Sequence, residues 1–528
     1  TLARTLPRTL PESLETLPGV HIQKTASGHG SPYIRGFTGN RTLAAIDGIR
    51  YNNATYRDGP NEYFSHIDTF TLSEVELISG PSSALYGSDA VGGTISLKTK
   101  GSDFSAAEID KWFLNGRQVL RYASGDRSII SRSAIDVGRG QNWGLSLGLS
   151  VKEFGDVRAA DLGRLPNTGY SERGWDARLD AVIGSDWTLT AVHQDLQQND
   201  VPRTHSTIFS RSFEGTTVGT DLRRDKDQDR SLTYLKLTGP TSLQFADFVE
   251  LVVSYQPREE RERRVRGDGL DIDQAFESDL FAFNSVFQRG FERALLTYGL
   301  DLSHETIDSR RTDFDTVTGL STERVQGPVG DDATYQQAGL FANIAWDVTD
   351  RLSIDLGARL SYVGADIGRF EDPVSGAPAA FSGDWTDFSG SARAGYSWGP
   401  NDRSMVFLSA SQAFRAPNIA DISRFGRSRS TEFEVASLGL QPEDFLSGEI
   451  GYRHALDALT LTAAYYYTDL RNYIETVPTG RIVDGLIEVS KQNSASGRIH
   501  GVELTGALQL PAGFDLSGNA TWTEGDLT

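Results

Sequence analysis

From about residue 110 onward, polar and apolar residues alternate along the chain with a period of two. In residues 338–348 apolar side chains occupy every second position, and residues 143–152 and 388–398 show the same alternation. A period of two is that of a β-strand whose two faces meet different surroundings. Aromatic residues lie near the ends of these segments, where a membrane interface favours amphipathic rings. The pattern predicts membrane-spanning strands.

Short polar connections recur between these segments, about 45 to 60 residues apart. This spacing fits two strands joined at the far end by a longer loop, as in outer-membrane barrels. The sequence therefore predicts an all-β transmembrane protein, a large antiparallel barrel with about 17 strands in this chain. The short turns are expected at residues 139–142, 184–186, 239–241, 289–292, 349–351, 399–402, 454–457 and 511–513, and long loops at the other end at residues 197–229, 259–278, 306–334 and 418–439.

Composition narrows the alternatives. The 528 residues include 71 Asp and Glu against 51 Lys and Arg, a formal charge of −20, which argues against a nucleic-acid binder. No apolar run is long enough for a membrane-spanning helix. The absence of cysteine removes disulfides, thiolate metal sites and cysteine nucleophiles. A string of β-sandwiches or a propeller is the soluble alternative, although no propeller repeat is found.

A barrel of this size cannot fill its interior with its own side chains. The first hundred residues differ from the rest, because they are dense in Gly-rich turns and short strand-like runs. We therefore expect two domains: residues 1–100 as an α+β domain in the lumen, and residues 101–528 as the barrel.

Four motifs stand in order in the first hundred residues, at 18–23, 31–37, 46–52 and 80–95, and a fifth, Phe-Arg-Ala-Pro-Asn, at 414–418. With these motifs the chain resembles the TonB-dependent outer-membrane receptors of the siderophore and haem type. The resemblance covers the whole chain and is specific in the plug and around the fifth motif. Its plug residues are Arg35, Gly36, Asp47, Gly48, Gly80, Pro81, Tyr86, Gly87, Gly92 and Gly93, and its barrel box is Phe414, Arg415, Ala416, Pro417 and Asn418.

Most of these motif residues are expected to fix the fold rather than touch substrate, since glycines permit close approach of chain segments. The chain departs from the family at Glu74 and Ser79, where Arg is usual, and at residues 440–443, where the Asn-Pro-x-Leu box is reduced. The family's barrel has 22 strands. We therefore expect about five further strands, on the order of 100 residues, after Thr528, and a signal peptide and TonB box before Thr1.

The resemblance implies active transport of a scarce nutrient across the Gram-negative outer membrane, with a ferric siderophore as the expected ligand. It implies a multi-pass, monomeric receptor that is not an enzyme and needs no cofactor or bound metal. Its partners would be the TonB–ExbB–ExbD energy-transducing complex, a small iron chelate, and the lipid and lipopolysaccharide of the membrane, but no nucleic acid. Haem, cobalamin and a peptide or protein ligand remain alternatives. A passive porin would not retain a plug, and a hydrolase would need a catalytic motif that is not found.

The plug apex is expected at residues 51–63, which offer aromatic rings, one cation and amide donors for an anionic chelate. The loop after the barrel box contains cations and aromatics but no histidine, which favours an anionic chelate over haem. His66 and His205 are the alternative haem ligands. The candidate binding residues are Tyr56, Arg57, Asn61 and Tyr63 at the apex, and Arg424, Phe425, Arg427 and Arg429 in the loop.

Overall fold

The computed structural model describes residues 7–212, 218–399, 402–428 and 431–528. Residues 7–100 are here called the N-terminal unit. Its elements are α1 (Leu10–Leu14), β1 (Val20–Ala26), β2 (His29–Ile34), β3 (Leu43–Ile46), β4 (Ile49–Arg50), β5 (Leu72–Ser79), α2 (Ser83–Tyr86) and β6 (Gly93–Thr99), with 3-10 turns at Gly39–Arg41, Tyr63–Ser65 and Thr69–Thr71. Strands β1 and β2 form a hairpin, and the other four form a separate sheet in the order β4-β3-β6-β5, in which β3 and β6 are parallel.

The rest of the chain forms a β-barrel whose strands follow one another in chain order. Its long strands are β7 (Trp112–Ala123), β8 (Ser128–Arg139), β9 (Trp143–Phe154), β12 (Tyr170–Ile183), β13 (Trp187–Pro202), β14 (Arg223–Pro240), β15 (Phe248–Val265), β16 (Leu270–Phe291), β17 (Ala294–Asp315), β19 (Asp331–Asp347), β20 (Leu352–Glu371), β21 (Pro378–Trp398), β22 (Ser404–Arg415), β25 (Glu443–Ala455), β26 (Leu459–Val483), β27 (Leu486–Leu510) and β28 (Phe514–Leu527). Short elements between them are β10 (Arg158–Ala159), β11 (Gly163–Arg164), β18 (Leu320–Glu323), α3 (Ile419–Ser423), β23 (Gly426–Arg427), β24 (Glu432–Glu434) and a 3-10 turn at Pro511–Gly513.

Successive long strands pair antiparallel, with register shifts between β13 and β14, between β20 and β21, and between β26 and β27. These are 17 long strands within the described residues, and β18, β23 and β24 bring the barrel sheet to 20. The predicted large antiparallel barrel is confirmed. In the described part of the chain, no helix is long and apolar enough to cross a membrane.

Side chains alternate across the barrel wall as the period of two requires. Along β14, Arg224, Lys226 and Leu232 are buried on the lumen side. On the outer face large apolar side chains such as Leu340 and Phe388 are exposed. An apolar outer face with a polar lumen is the pattern of membrane barrels.

Two of the four predicted long loops, residues 259–278 and 306–334, are mostly strand, and a third, residues 197–229, is strand at both ends. Residues 259–278 belong to β15 and β16, which are joined by residues 266–269 alone. Residues 306–334 and 197–229 likewise lie partly in strands that continue far beyond the alternating apolar region. Ion pairs between neighbouring strands, such as Arg261 with Asp273 and Arg310 with Glu277, support regular strand pairing in these polar segments. The polar composition of these segments therefore wrongly predicted loops, because paired charges support a strand outside the apolar band.

The N-terminal unit packs inside the barrel. Its Ile46, Tyr51 and Tyr63 share one buried apolar cluster with Val192 and Leu232 of the barrel wall. The unit therefore occupies the lumen that a barrel of this size leaves open.

Candidate functional site: a cationic vestibule above the N-terminal unit

Two adjoining cavities lie at the end of the barrel opposite the short turns. Their volumes are about 890 Å³ and about 110 Å³, and both are lined by Arg57, Arg203, Arg424 and Arg427. We call the two cavities together the vestibule. The larger cavity is of the size that small-molecule ligands occupy in proteins.

Positive charge dominates the smaller cavity. Nine basic and three acidic side chains line it, although the whole chain carries a net charge of −20. Clefts lined by one sign of charge concentrate the opposite ion. The smaller cavity therefore favours anions. The basic residues of the smaller cavity are Arg57, Arg203, Arg224, Lys226, Arg264, Arg266, Arg311, Arg424 and Arg427, and its acidic residues are Glu260, Glu262 and Asp484.

Arg57 is the predicted apex residue that lines both cavities. Its guanidinium forms an ion pair with Glu62 and donates from Nε to the Tyr63 hydroxyl at 3.0 Å. Burial alone would lower the pKa of Arg57, but Glu62 and Tyr63 raise it well above its usual value. Arg57 is therefore a fixed cation on the vestibule floor.

The other three apex residues are buried. Tyr56 and Asn61, both predicted to bind the ligand, are at most 1% exposed and line neither cavity. The Tyr56 ring stacks on Tyr63 with centroids 4.2 Å apart, and Arg258 lies 5.2 Å from the Tyr56 ring. Tyr63 borders the smaller cavity but is 1% exposed. Their rings hold the apex loop in place, since buried aromatics contribute mainly packing.

Three of the four residues predicted in the loop after the barrel box line the vestibule. Arg424, Phe425 and Arg427 line the smaller cavity, and the Phe425 ring packs edge-on against Phe433 at 5.1 Å. Arg424 is held by Glu434 at 3.4 Å. The fourth predicted residue, Arg429, lies outside the described residues.

Several vestibule cations were missed because they lie in the stretches taken for solvated loops. Arg224, Lys226 and Arg264 point inward from extended strands, and a run of charges at every second position is the signal that could have identified them. Arg203 follows the end of β13 and has no ion-pair partner within the described part of the chain. Burial and the nearby Arg224 lower the pKa of Arg203 to about 10. It therefore remains a cation at neutral pH.

The two candidate haem ligands lie in different surroundings. His205 lines the larger cavity, with Nε2 3.0 Å from Arg224, whereas His66 is 3% exposed in the N-terminal unit and lines neither cavity. Burial and the charge of Arg258 lower the pKa of His66 to about 3. The structure does not bring the two imidazoles to one cavity. Among residues that the structure describes, no group of three His, Cys, Asp or Glu could hold a metal ion.

The plug motif residues have structural contacts. Arg35 pairs with Glu449 and Glu503 of the barrel, both at 2.8 Å, and Asp47 accepts from the Thr99 amide at 3.0 Å. A Cβ atom on Gly92 would lie 2.6 Å from the Cβ atom of Phe37. Five further motif residues lie at turns or close approaches in the same unit, namely Gly36, Gly48, Gly80, Gly87 and Gly93. Pro81 and Tyr86 flank α2, at its start and its end.

The barrel box is the centre of a buried charge network. Arg415 is fully buried and pairs with Asp421 and Glu443, both at 2.5 Å. Glu443, from the reduced motif at residues 440–443, also pairs with Arg41 of the N-terminal unit. Lys491 joins Asp421 at 2.8 Å and the vestibule residue Asp58 at 3.1 Å.

The other box residues secure this network. Phe414 and Ala416 are buried, and Asn418 caps α3 and donates to the Tyr56 carbonyl at 2.7 Å. The Pro417 carbonyl accepts from the Tyr335 hydroxyl at 3.3 Å. The box therefore joins the barrel wall to the apex loop.

The chain is thus a large β-barrel with a folded domain in its lumen and a charged vestibule above that domain. This architecture places it in the class of plugged barrels. The model of the family "TonB dependent receptor-like, beta-barrel" matches residues 31–528, and the chain belongs to this family.

A hemin receptor of Yersinia enterocolitica is 24% identical over 493 residues, which are 88% of this chain and 64% of that protein. The chain thus spans about two thirds of the length of that curated relative. Two solved structures share the fold. The copper transporter OprC has a TM-score of 0.80 at 18% identity, over 98% of this chain and 78% of that one. The ferric yersiniabactin uptake receptor FyuA from Yersinia pestis has a TM-score of 0.69 at 18% identity, over 98% and 77%.

Proposed function

We propose that the chain belongs to an active transporter that takes up an anionic ferric siderophore across the outer membrane. The observation that carries this proposal is the smaller cavity of the vestibule, where nine basic side chains face three acidic ones in an acidic protein. Over the described lining of both cavities, basic side chains outnumber acidic ones by eleven to seven. Arginine pairs with carboxylate and catecholate-type oxygens through several charge-assisted hydrogen bonds. The names of the relatives, which include a ferric chelate receptor and a hemin receptor, support iron uptake.

In this proposal residues 1–100 act as the plug and residues 101–528 as the barrel. The vestibule binds the chelate, and the TonB–ExbB–ExbD complex supplies the energy that rearranges the plug. The receptor works as a monomer in the outer membrane, and it moves its ligand without chemical change. The buried ion pairs between the N-terminal unit and the barrel support this division, because they hold a separate folded unit inside the lumen.

Haem is the second candidate, favoured by His205 in the larger cavity and by the hemin receptor relative. Haem propionates would also suit a cationic vestibule. Haem differs from a ferric siderophore because the iron of haem needs an axial ligand from the protein. His205 offers one imidazole to the vestibule, whereas the buried His66 does not reach it.

Binding and uptake together test the proposal. The purified full-length receptor is titrated with a ferric tris-catecholate, a ferric trihydroxamate, haem and cyanocobalamin, and tryptophan fluorescence and the haem absorption band are followed. We expect tight binding of a ferric siderophore, no haem band shift, and ⁵⁵Fe uptake only in cells with a working TonB. A haem shift that His205→Ala removes would overturn the substrate. TonB-independent uptake would overturn active transport.

A further inference from the structure

Among the residues that the structure describes, ion pairs attach the N-terminal unit to one side of the barrel only. Seven ion pairs between described residues join the unit to the barrel, and all of them end on β9, β14, β25, β27 or the connection after β7. No ion pair from the N-terminal unit ends on a described residue of β15 to β22. The seven pairs are Arg8–Asp126, Arg35–Glu449, Arg35–Glu503, Arg41–Glu443, Asp58–Lys491, Glu62–Lys226 and Asp68–Lys152.

On the other side the hydrogen bonds to β15–β22 involve a backbone group, and Arg258 of β15 adds cation–π contacts with the rings of Tyr51, Tyr56 and Tyr63. Glu305 accepts from the Ala54 amide at 2.9 Å, Gln256 donates to the Arg50 carbonyl at 2.9 Å, and Arg359 donates to the Leu85 carbonyl at 3.1 Å. Separating a buried ion pair leaves two uncompensated charges, whereas a single hydrogen bond is weak in net terms. The unit therefore separates more easily from β15–β22 than from the opposite side.

A cavity already exists on this weakly attached side. It has a volume of about 240 Å³ and lies between the N-terminal unit and strands β15 to β20; we call it the inner cavity. Its lining reaches Glu250 and Thr297, near the starts of β15 and β17, so it extends toward the end with the short turns. Two basic and two acidic side chains line it, namely Arg50, Arg359, Glu250 and Asp301, and both arginines form ion pairs, Arg50 with Asp89 and Arg359 with Asp301.

One buried apolar cluster separates the inner cavity from the vestibule. Phe276 and Val329 of this cluster line the smaller vestibule cavity, and Val363 and Phe414 line the inner cavity. Of the N-terminal unit, only Ala54 is among the buried residues described in the cluster. The barrier between the two spaces is thus formed mainly by barrel side chains.

We propose that the transported anion leaves the vestibule along β15–β22, crosses this apolar cluster beside Ala54 and enters the inner cavity, while the N-terminal unit stays attached to the opposite side. This inference rests on the proposed transport function and adds the route to it. It assigns the inner cavity as a transit site for an anionic chelate.

Disulfide locks test the route, because the chain has no cysteine of its own. A Cβ atom built on Gly357 of β20 lies 3.4 Å from the Cβ atom of Ala84 in α2, close to disulfide spacing. The pair Ala84→Cys and Gly357→Cys would therefore tie the unit to the proposed route. The control pair Gly28→Cys and Val201→Cys ties it to β13, since a Cβ atom on Gly28 lies 2.9 Å from Cγ1 of Val201.

Cells with the full-length receptor are given ⁵⁵Fe as the ferric tris-catecholate, with and without reductant, and binding is measured on the same cells. The first pair should reduce uptake at least tenfold when oxidised and restore it when reduced, with binding unchanged. The control pair should keep uptake within about twofold of the reduced form. Block by the control pair, or uptake through the oxidised first pair, would overturn the route. Loss of binding in the unmodified receptor would instead count against the proposed substrate.

A second measurement needs no transported ligand. In planar bilayers, Phe276→Ala with Phe414→Ala should raise the KCl conductance of the full-length receptor several-fold, because it removes side chains between two existing cavities. Val192→Ala with Leu232→Ala, in the cluster on the firmly attached side, should leave the conductance unchanged. Equal conductance of the two variants, or a larger increase in the control, would overturn the route whatever the receptor transports.

Discussion

Arg203 gives the sharpest test of the vestibule. Its guanidinium lines both cavities and has no ion-pair partner within the described ranges, so no described carboxylate already neutralises its charge. Arg57, by contrast, is held by Glu62. Replacing Arg203 by glutamine therefore removes a ligand contact while disturbing few internal contacts.

The expected loss follows from the kind of contact. A hydrogen bond to a charged group contributes about 1.5 to 3 kcal/mol, and about 1.4 kcal/mol corresponds to a factor of ten in the equilibrium constant. Arg203→Gln should therefore weaken binding of an anionic ferric chelate about tenfold to 100-fold. The pKa of about 10 keeps Arg203 charged at neutral pH, so the loss should be nearly constant between pH 6 and 8, well below that value.

Fluorescence titration of the purified receptor at two salt concentrations measures this loss. Lys24→Gln is the matched control, because Lys24 lines the larger cavity but is 45% exposed and paired with Glu12. It should change the affinity less than twofold. Equal affinities of Arg203→Gln and the parent protein, with normal barrel assembly, would refute the assignment of the vestibule as the anion site.

Three further results are expected. Tyr63→Ala should lower affinity by loosening the apex loop, whereas Tyr63→Phe should keep most of it; matched titrations check this, and equal losses would contradict a packing role. If haem binds, His205→Ala should abolish the absorption shift and His66→Ala should leave it, because only His205 lines the cavity. Burial opposes ionisation of Asp421, but Arg415 and Lys491 lower its pKa to about 2. Its stabilising contribution is thus complete above about pH 4 and lost as pH falls through about 2, which hydrogen exchange in α3 at pH 7, 4 and 2.5 would show.

The barrel was predictable because its signal is local. Alternation and short turns are set by neighbouring residues, and they predicted the long strands and the end where the chain turns tightly. The extent of the strands was not predictable in the same way. Arg261 and Asp273 support the extended strands only because strand pairing makes them diagonal neighbours, and that register depends on the fold.

The site was predictable only in part. Arg57 and the loop residues Arg424, Phe425 and Arg427 do line the vestibule. The Tyr56 ring does not, because neighbouring aromatic rings and a barrel arginine bury it. Burial of a loop inside a barrel depends on the opposing wall, which the loop sequence does not contain.

Two buried arginines of the barrel wall have no carboxylate partner among the described residues. Arg230 and Arg258 face each other across β14 and β15 and are both buried, yet no described carboxylate pairs with either. They lie 4.8 and 4.9 Å from the Tyr51 ring, and this cation–π contact offsets only part of the cost of burying two like charges. The same fold pairs Arg35 and Arg41 with carboxylates. Proteins break such local rules mainly at functional sites. Arg230 and Arg258 line neither cavity of the vestibule but lie against the buried tyrosines of the apex loop, so their positive charge would act on an anion in the vestibule through that loop rather than by contact.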